Sequence, residues 1–127
     1  MTEWVTSQLN LLSTQWPTLS YLDDGHWVLV PDWQLQQGWS LPTVDIAFQI
    51  KPGPDQPPYA FYVNSTDLKF NEATPGNWTM PAEVPFPGTW SAFSWAPETW
   101  IPTADPDLGP NMLAFARSIA SRFAEGA

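Results

Sequence analysis

The residues in this sequence that could do chemistry are few, and their types exclude many reactions. The chain has 127 residues, no cysteine and one histidine, His26. Without cysteine there can be no disulfide, no thiolate metal site and no cysteine nucleophile. A single histidine does not favour a zinc site. His26 could act as the base of a serine triad, but no Gly-x-Ser-x-Gly turn presents a serine to it. We therefore predict no metal and no cofactor.

Two pairs of carboxylates are the other candidates for acid–base chemistry. Asp23 and Asp24 precede a glycine, and Asp105 and Asp107 precede a predicted helix. Paired carboxylates can carry out glycoside hydrolysis. However, aspartate is common in turns because its side chain bonds the local backbone, and it is favoured at helix N-termini. We interpret both pairs as structural.

An aromatic segment at 86–102 is the most distinctive part of the chain. It contains Trp90, Trp95 and Trp100 together with three prolines and one glycine. So many prolines exclude a helix interior. The indoles could cover the core, or they could form a recognition surface, since aromatic platforms with acidic neighbours bind sugars, proline-rich peptides or methylated amines. We predict Trp90, Trp95 and Trp100 as binding residues. Their spacing of five excludes a single strand face for all three.

The charge balance restricts the partners. Thirteen acidic residues and four basic ones give a net charge of −9. A chain this acidic repels phosphate backbones, so we expect no nucleic-acid partner. It suits a basic partner surface reached by electrostatic steering. No segment approaches the roughly 20 apolar residues that cross a bilayer, and no secretory signal is visible. We expect a cytoplasmic protein without a membrane partner.

The pattern of apolar residues predicts one α+β domain over residues 1–127. Helical spacing predicts helices at 2–15 and 110–126. Three strands follow one another without an intervening helix, which predicts an antiparallel meander. They are predicted at 26–30, 44–50 and 59–64. Residues 65–106 have little periodicity, so we predict a long, irregular, ordered arm rich in tryptophan and proline, with a short edge strand at 68–70.

This order of elements resembles the ubiquitin-conjugating enzyme superfamily. The resemblance is closest to a bacterial branch found beside ubiquitin-like proteins and their activating enzymes. Trp100-Ile101-Pro102 resembles the Trp-Ser-Pro that follows the active-site cysteine of that superfamily. The other matching pieces, in chain order, are Trp27 to Pro31, Val44 to Ile50, Pro57 to Val63, Pro75-Gly76-Asn77, Gly88-x-Trp90 and Phe93-Ser94.

Two departures from the family affect catalysis. The cysteine of conjugating enzymes would fall near Ala92 and is absent, so thioester chemistry is excluded. Where the bacterial branch has Ser-Arg-His, this chain has Ser94-Trp95-Ala96. Asn71 is the nearest match to the asparagine that stabilises the oxyanion. An oxyester on Ser91 or Ser94 stays open, but serine needs a base, and the arm offers only Glu98.

The resemblance implies a non-thioester, catalytically inactive protein. It would bind a ubiquitin-like protein, an activating enzyme or both, in a bacterial conjugation pathway used in antiviral defence. Two alternatives stay open. One is a free-standing aromatic module that binds glycans or proline-rich peptides, and the other is a conjugating enzyme that uses a serine oxyester.

Overall fold

The fold consists of a six-stranded sheet with a helix at each end of the chain. The structure, a computed structural model, describes residues 3–51, 60–73, 78–93 and 112–124. The elements are α1 (Glu3–Gln15), β1 (Ser20–Leu22), β2 (Trp27–Gln34), β3 (Thr43–Gln49), β4 (Phe61–Val63), β5 (Trp78–Ala82), β6 (Trp90–Phe93) and α2 (Met112–Ala124). The predicted α+β class is confirmed.

All strand pairs in the sheet are antiparallel, and the strand order is β1-β2-β3-β4-β6-β5. The first four strands lie side by side in chain order, so the predicted meander is confirmed. In the centre of the sheet, Ala47 on β3 pairs with Leu29 on β2 and Tyr62 on β4. Strands that follow one another in the sequence usually pair in space, and these four follow that tendency.

The core lies between one face of the sheet and the two helices. The Phe48 ring on β3 meets the Phe115 ring on α2 at a centroid distance of 5.8 Å. The Phe61 and Phe93 rings meet Phe123 of α2 at 5.5 and 5.9 Å. These contacts are edge-on, the geometry that aromatic quadrupoles favour. The apolar spacing predicted for the C-terminal helix therefore marks the α2 face that packs on the sheet.

The two helices are joined through a buried polar residue. Gln8 lies on α1 between the buried residues Val5 and Leu12, and its side chain is fully buried. Its Oε1 accepts a 2.7 Å hydrogen bond from the backbone N–H of Met112, the first residue of α2. This bond satisfies one of the donors that every helix N-terminus leaves unpaired. The Gln8 Nε2 is also buried, and none of the described residues accepts a hydrogen bond from it.

The expected irregular arm is partly wrong, because it contains β5 and β6. Strand β6 lies between β4 and β5, so it is an interior strand. Pro81 lies in β5, which is at the edge of the sheet, where a missing backbone donor is tolerated. The predicted edge strand at 68–70 is not a strand, since Phe70 forms only isolated bridges with Trp39 and Ala73.

Some predicted features fall outside the described residues. They are residues 57–59 of the Pro57 to Val63 match, residues 94–102 of the aromatic segment and the Asp105/Asp107 pair. Within the described ranges, neither helix has the length and apolarity needed to cross a bilayer.

Candidate functional site

The outer face of the sheet is the face opposite the helices. Residues paired across antiparallel strands point to the same side. Leu29, Ala47, Tyr62, Ala92 and Thr79 form one such row across five strands. Strand alternation places the side chains of Trp27 and Trp90 on this side as well.

An open cleft of about 600 Å³ lies over this face. One wall is the β1–β2 turn (residues 23–26), and the other is the β5–β6 loop (residues 83–89). Trp27 and Trp90 line the cleft between them, together with Asp24 and Gly25 of the turn and residues 83–85 and 88 of the loop. We call this space the outer cleft.

Trp27 is the half-buried ring of the outer cleft. Its indole lies against the Tyr62 ring at a centroid distance of 5.2 Å and an interplanar angle of 58°. Gly25 has a φ of +82°, and a Cβ there would come within 3.0 Å of the indole. Glycine therefore lets the turn lie close to the ring. The Gln49 Nε2 donates a 3.0 Å hydrogen bond to the Gly25 carbonyl and holds the turn in this position.

Trp90, one of the three predicted binding residues, is almost completely buried, with 2% of its surface exposed. Its Nε1–H donates a 3.2 Å hydrogen bond to the Phe86 carbonyl of the overlying loop. Trp90 is thus a packed part of the cleft lining that offers little surface to a partner. Trp95 and Trp100 lie outside the described residues.

The β5–β6 loop is held to the sheet by Asn64. The Asn64 Oδ1 accepts a 3.2 Å hydrogen bond from the Thr89 backbone N–H. Gly88 beside it has a φ of +126°, and a Cβ there would collide with the Asn64 side chain. Only glycine fits both the backbone conformation and this close approach.

The β1–β2 turn is held by a chain of three polar side chains. The Tyr21 Oη lies 2.8 Å from His26 Nδ1 and donates a 3.2 Å hydrogen bond to Asp23 Oδ1. Burial raises the pKa of Tyr21, and the hydrogen bond and negative charge of Asp23 raise it further. His26, the sequence-based candidate for a catalytic base, is therefore engaged by Tyr21.

Both walls of the outer cleft carry a carboxylate. Asp24 on the turn and Glu83 on the loop are exposed and line the cleft. All four basic residues of the chain are among those described, and none of them lines it. The cleft therefore combines indole rings with negative charge.

Ser91, a candidate nucleophile, points to the inner face of the sheet. Its side chain is fully buried, and its Oγ donates a 2.7 Å hydrogen bond to the Ser65 carbonyl. A hydroxyl without solvent access and with its proton already donated is poorly placed to attack a substrate. Ser94 and Glu98 lie outside the described residues.

Asn71, the candidate for oxyanion stabilisation, lies in a second cleft of about 700 Å³. Gly38, Trp39, Lys69 and Glu72 also line this cleft. The Asn71 backbone N–H donates a 2.7 Å hydrogen bond to the Gly38 carbonyl, which ties the two loops together. The lining carries one cation and one carboxylate, so this cleft has no dominant charge.

No group of three or more potential metal ligands occurs among the residues whose placement the structure gives.

Sequence reasoning missed Trp27, Tyr62 and Glu83 as parts of one site. The alternation of the predicted strands could have placed Trp27 and Tyr62 on one face. Nothing local could have found Glu83, because the β5–β6 loop reaches the cleft through tertiary packing.

Comparison with known proteins gives no family: no family model, curated protein or solved structure matches this chain.

Proposed function

We propose that this chain is a non-catalytic binding protein related to ubiquitin-conjugating enzymes, which binds a ubiquitin-like protein, its activating enzyme or both. The observation that carries the binding role is the outer cleft, where the half-buried Trp27 indole lies beside a turn and a loop that each present a carboxylate. The identity of the partner, and its place in a bacterial conjugation pathway used in defence, rest on the sequence resemblance.

The environment of Ser91 supports a role without catalysis. The chain has no cysteine, and the Ser91 hydroxyl is buried and bonded to the Ser65 carbonyl. A serine becomes nucleophilic at neutral pH only through a base that takes its proton. The single histidine of the chain is instead within hydrogen-bond distance of Tyr21.

The charge of the chain supports a protein partner with a basic face. A net charge of −9 attracts such a partner over distances near the Debye length, about 8 Å at physiological salt. Asp24 and Glu83 concentrate part of that charge at the outer cleft. Complementary charges raise the association rate and select against acidic competitors.

The test is reconstitution with the ubiquitin-like protein and activating enzyme encoded by the same host. We expect a non-covalent complex by size-exclusion chromatography and calorimetry. Treatment with mild base should leave its composition unchanged, and Ser91→Ala and Ser94→Ala should bind like the native chain. A base-labile adduct that Ser94→Ala abolishes would establish the serine oxyester enzyme instead. Failure of both proteins to bind the folded chain would reject the proposal.

The size of the outer cleft favours one second candidate, a free-standing ligand-binding module. A volume of about 600 Å³ lies within the range of small-ligand sites, and the half-buried Trp27 indole in the cleft lining could stack on a sugar or a proline. Saturable quenching of tryptophan fluorescence by a glycan or proline-rich peptide, without binding of the ubiquitin-like protein, would favour this candidate.

A further inference from the structure

We propose that the outer cleft receives a lysine or arginine side chain from an extended basic segment of a protein partner. This inference specifies the ligand chemistry of the proposed binding site, and it rests on the proposed function only in taking the partner to be a protein.

The first argument is the charge of the two walls. Asp24 and Glu83 come from separate connections of the sheet, yet both line the same cleft and both are exposed. Within the described part of the chain, no hydrogen bond or ion pair engages either carboxylate. Asp23 differs, because its carboxylate accepts the Tyr21 hydrogen bond that braces the turn. Two free carboxylates in the lining of one cleft attract a cationic side chain, and either of them can accept a charged hydrogen bond from it.

The second argument is the ring between those walls. The Trp27 indole lines the cleft and is only half-buried. Tryptophan is the best aromatic partner for a cation, and its ring also accommodates the apolar stem of lysine or arginine. The combination of an indole with carboxylates selects a cationic side chain over both neutral and acidic ones.

The third argument is that the walls are held in place before any ligand binds. Asn64 and Trp90 anchor the β5–β6 loop through the hydrogen bonds to Thr89 N and Phe86 O. Gln49 anchors the β1–β2 turn through the Gly25 carbonyl. A prearranged site loses little conformational entropy on binding. The cleft is open and larger than one side chain, so residues on either side of the cation would also lie in it.

The experiment titrates the full chain with three capped glycine–serine peptides that carry lysine, arginine or norleucine at the same alternate positions. The readout is the indole N–H resonance of Trp27, identified with Trp27→Phe, together with calorimetry. We expect the lysine and arginine peptides to bind and to shift this resonance. Norleucine has a similar apolar stem but no charge, so its peptide should not bind. Binding should weaken as salt is raised.

Charge-neutral variants test the walls. Asp24→Asn and Glu83→Gln should each weaken binding about three- to tenfold, the effect expected for losing one partly exposed ion pair or charged hydrogen bond. Glu72→Gln is the matched control, because it removes one charge from the second cleft and should bind like the native chain. Unchanged amide spectra would show that each variant keeps its fold.

Three results would overturn the inference: absence of binding by the cationic peptides, equal binding of the norleucine peptide, or an effect of Glu72→Gln as large as that of Asp24→Asn. The outcomes also separate this inference from the proposed function. Peptide binding without recognition of the ubiquitin-like protein supports the cationic site and rejects that partner. Binding of the ubiquitin-like protein that is insensitive to Asp24→Asn combined with Glu83→Gln supports the partner and rejects the cationic site.

Discussion

The two faces of the sheet both carry aromatic residues, but the surroundings of those residues differ. On the inner face, Phe61 and Phe93 are almost fully buried and meet Phe123 from α2. On the outer face, Trp27 is half-buried beside a turn and a loop that each present a carboxylate. Rings packed by a helix add to the core, whereas the half-buried Trp27 ring keeps part of its surface exposed. The exposure of an aromatic side chain therefore depends on which element covers it, and residue type alone does not decide it.

The largest difference between the faces should appear in stability. Phe123→Ala should lower the free energy of unfolding by about 3–5 kcal/mol, the usual cost of removing a buried phenylalanine, because Phe123 touches Trp39, Phe61 and Phe93. The matched outer-face change, Trp27→Ala, should cost less, since Trp27 is only half-buried. Urea unfolding measures both. Equal losses would show that the outer face is as much a part of the core as the inner face.

The next effect concerns the loop that forms one wall of the outer cleft. Gly88→Ala should cost about 1–3 kcal/mol, because an alanine at this backbone angle is strained and its Cβ meets Asn64. The double variant Gly88→Ala/Asn64→Ala removes the collision but keeps the backbone strain, and it also loses the hydrogen bond from Thr89 N to Asn64. It is therefore compared with Asn64→Ala alone: urea unfolding should show that Gly88→Ala costs less in the Asn64→Ala background than in the native chain, and the cost that remains there is the backbone strain. A Gly88→Ala variant as stable as the native chain would mean that the loop adopts another conformation.

A smaller effect tests whether Ser91 is structural or chemical. Ser91→Ala should lower the free energy of unfolding by about 1 kcal/mol, because the buried hydrogen bond to the Ser65 carbonyl is lost. Thr79→Ala, on the exposed side of the neighbouring strand β5, should stay within about 0.5 kcal/mol of the native chain. Partner affinity should be unchanged in both. Loss of a covalent product in Ser91→Ala would contradict the structural role.

The smallest effect is the pH dependence of the turn beside the outer cleft. The pKa of Tyr21 is raised above its ordinary value of 10.0, so the folded state holds this proton more tightly than the unfolded state. The resulting stability is fully present below pH 10.0 and is lost as pH rises through the folded pKa. Tyr21→Phe should therefore lose less stability than the native chain in alkaline urea titrations. If the free energy of unfolding fell equally with rising pH in Tyr21→Phe and in the native chain, the folded turn would not hold the Tyr21 proton more tightly than the unfolded chain does.

Much of the fold was predictable because its signals are local. The helical spacing of α1 and α2 and the run of strands without an intervening helix are visible within short windows of sequence. β5 and β6 were not predictable in this way. Pro81 argues against a strand unless the strand is at an edge, and edge position is a property of the whole sheet. Gln8 was missed because a glutamine on an apolar stripe has a partner only when Met112 arrives from the other end of the chain.

The candidate site was less predictable than the fold. The aromatic segment directed attention to Trp90. The overlying loop buries this indole, and the Phe86 carbonyl of the loop accepts the hydrogen bond from its Nε1–H. Trp27 and Tyr62 lie far apart in the sequence and meet because β2, β3 and β4 are neighbours in the sheet.

The sequence by itself determined the absence of cysteine chemistry, the acidic charge and the α+β class, because these follow from composition and local periodicity. Only the tertiary structure decided which indole is covered, that Ser91 faces inward, and that Asp24 and Glu83 line one cleft. The physical reason is that burial and electrostatic environment arise from contacts between distant segments, which no local pattern encodes.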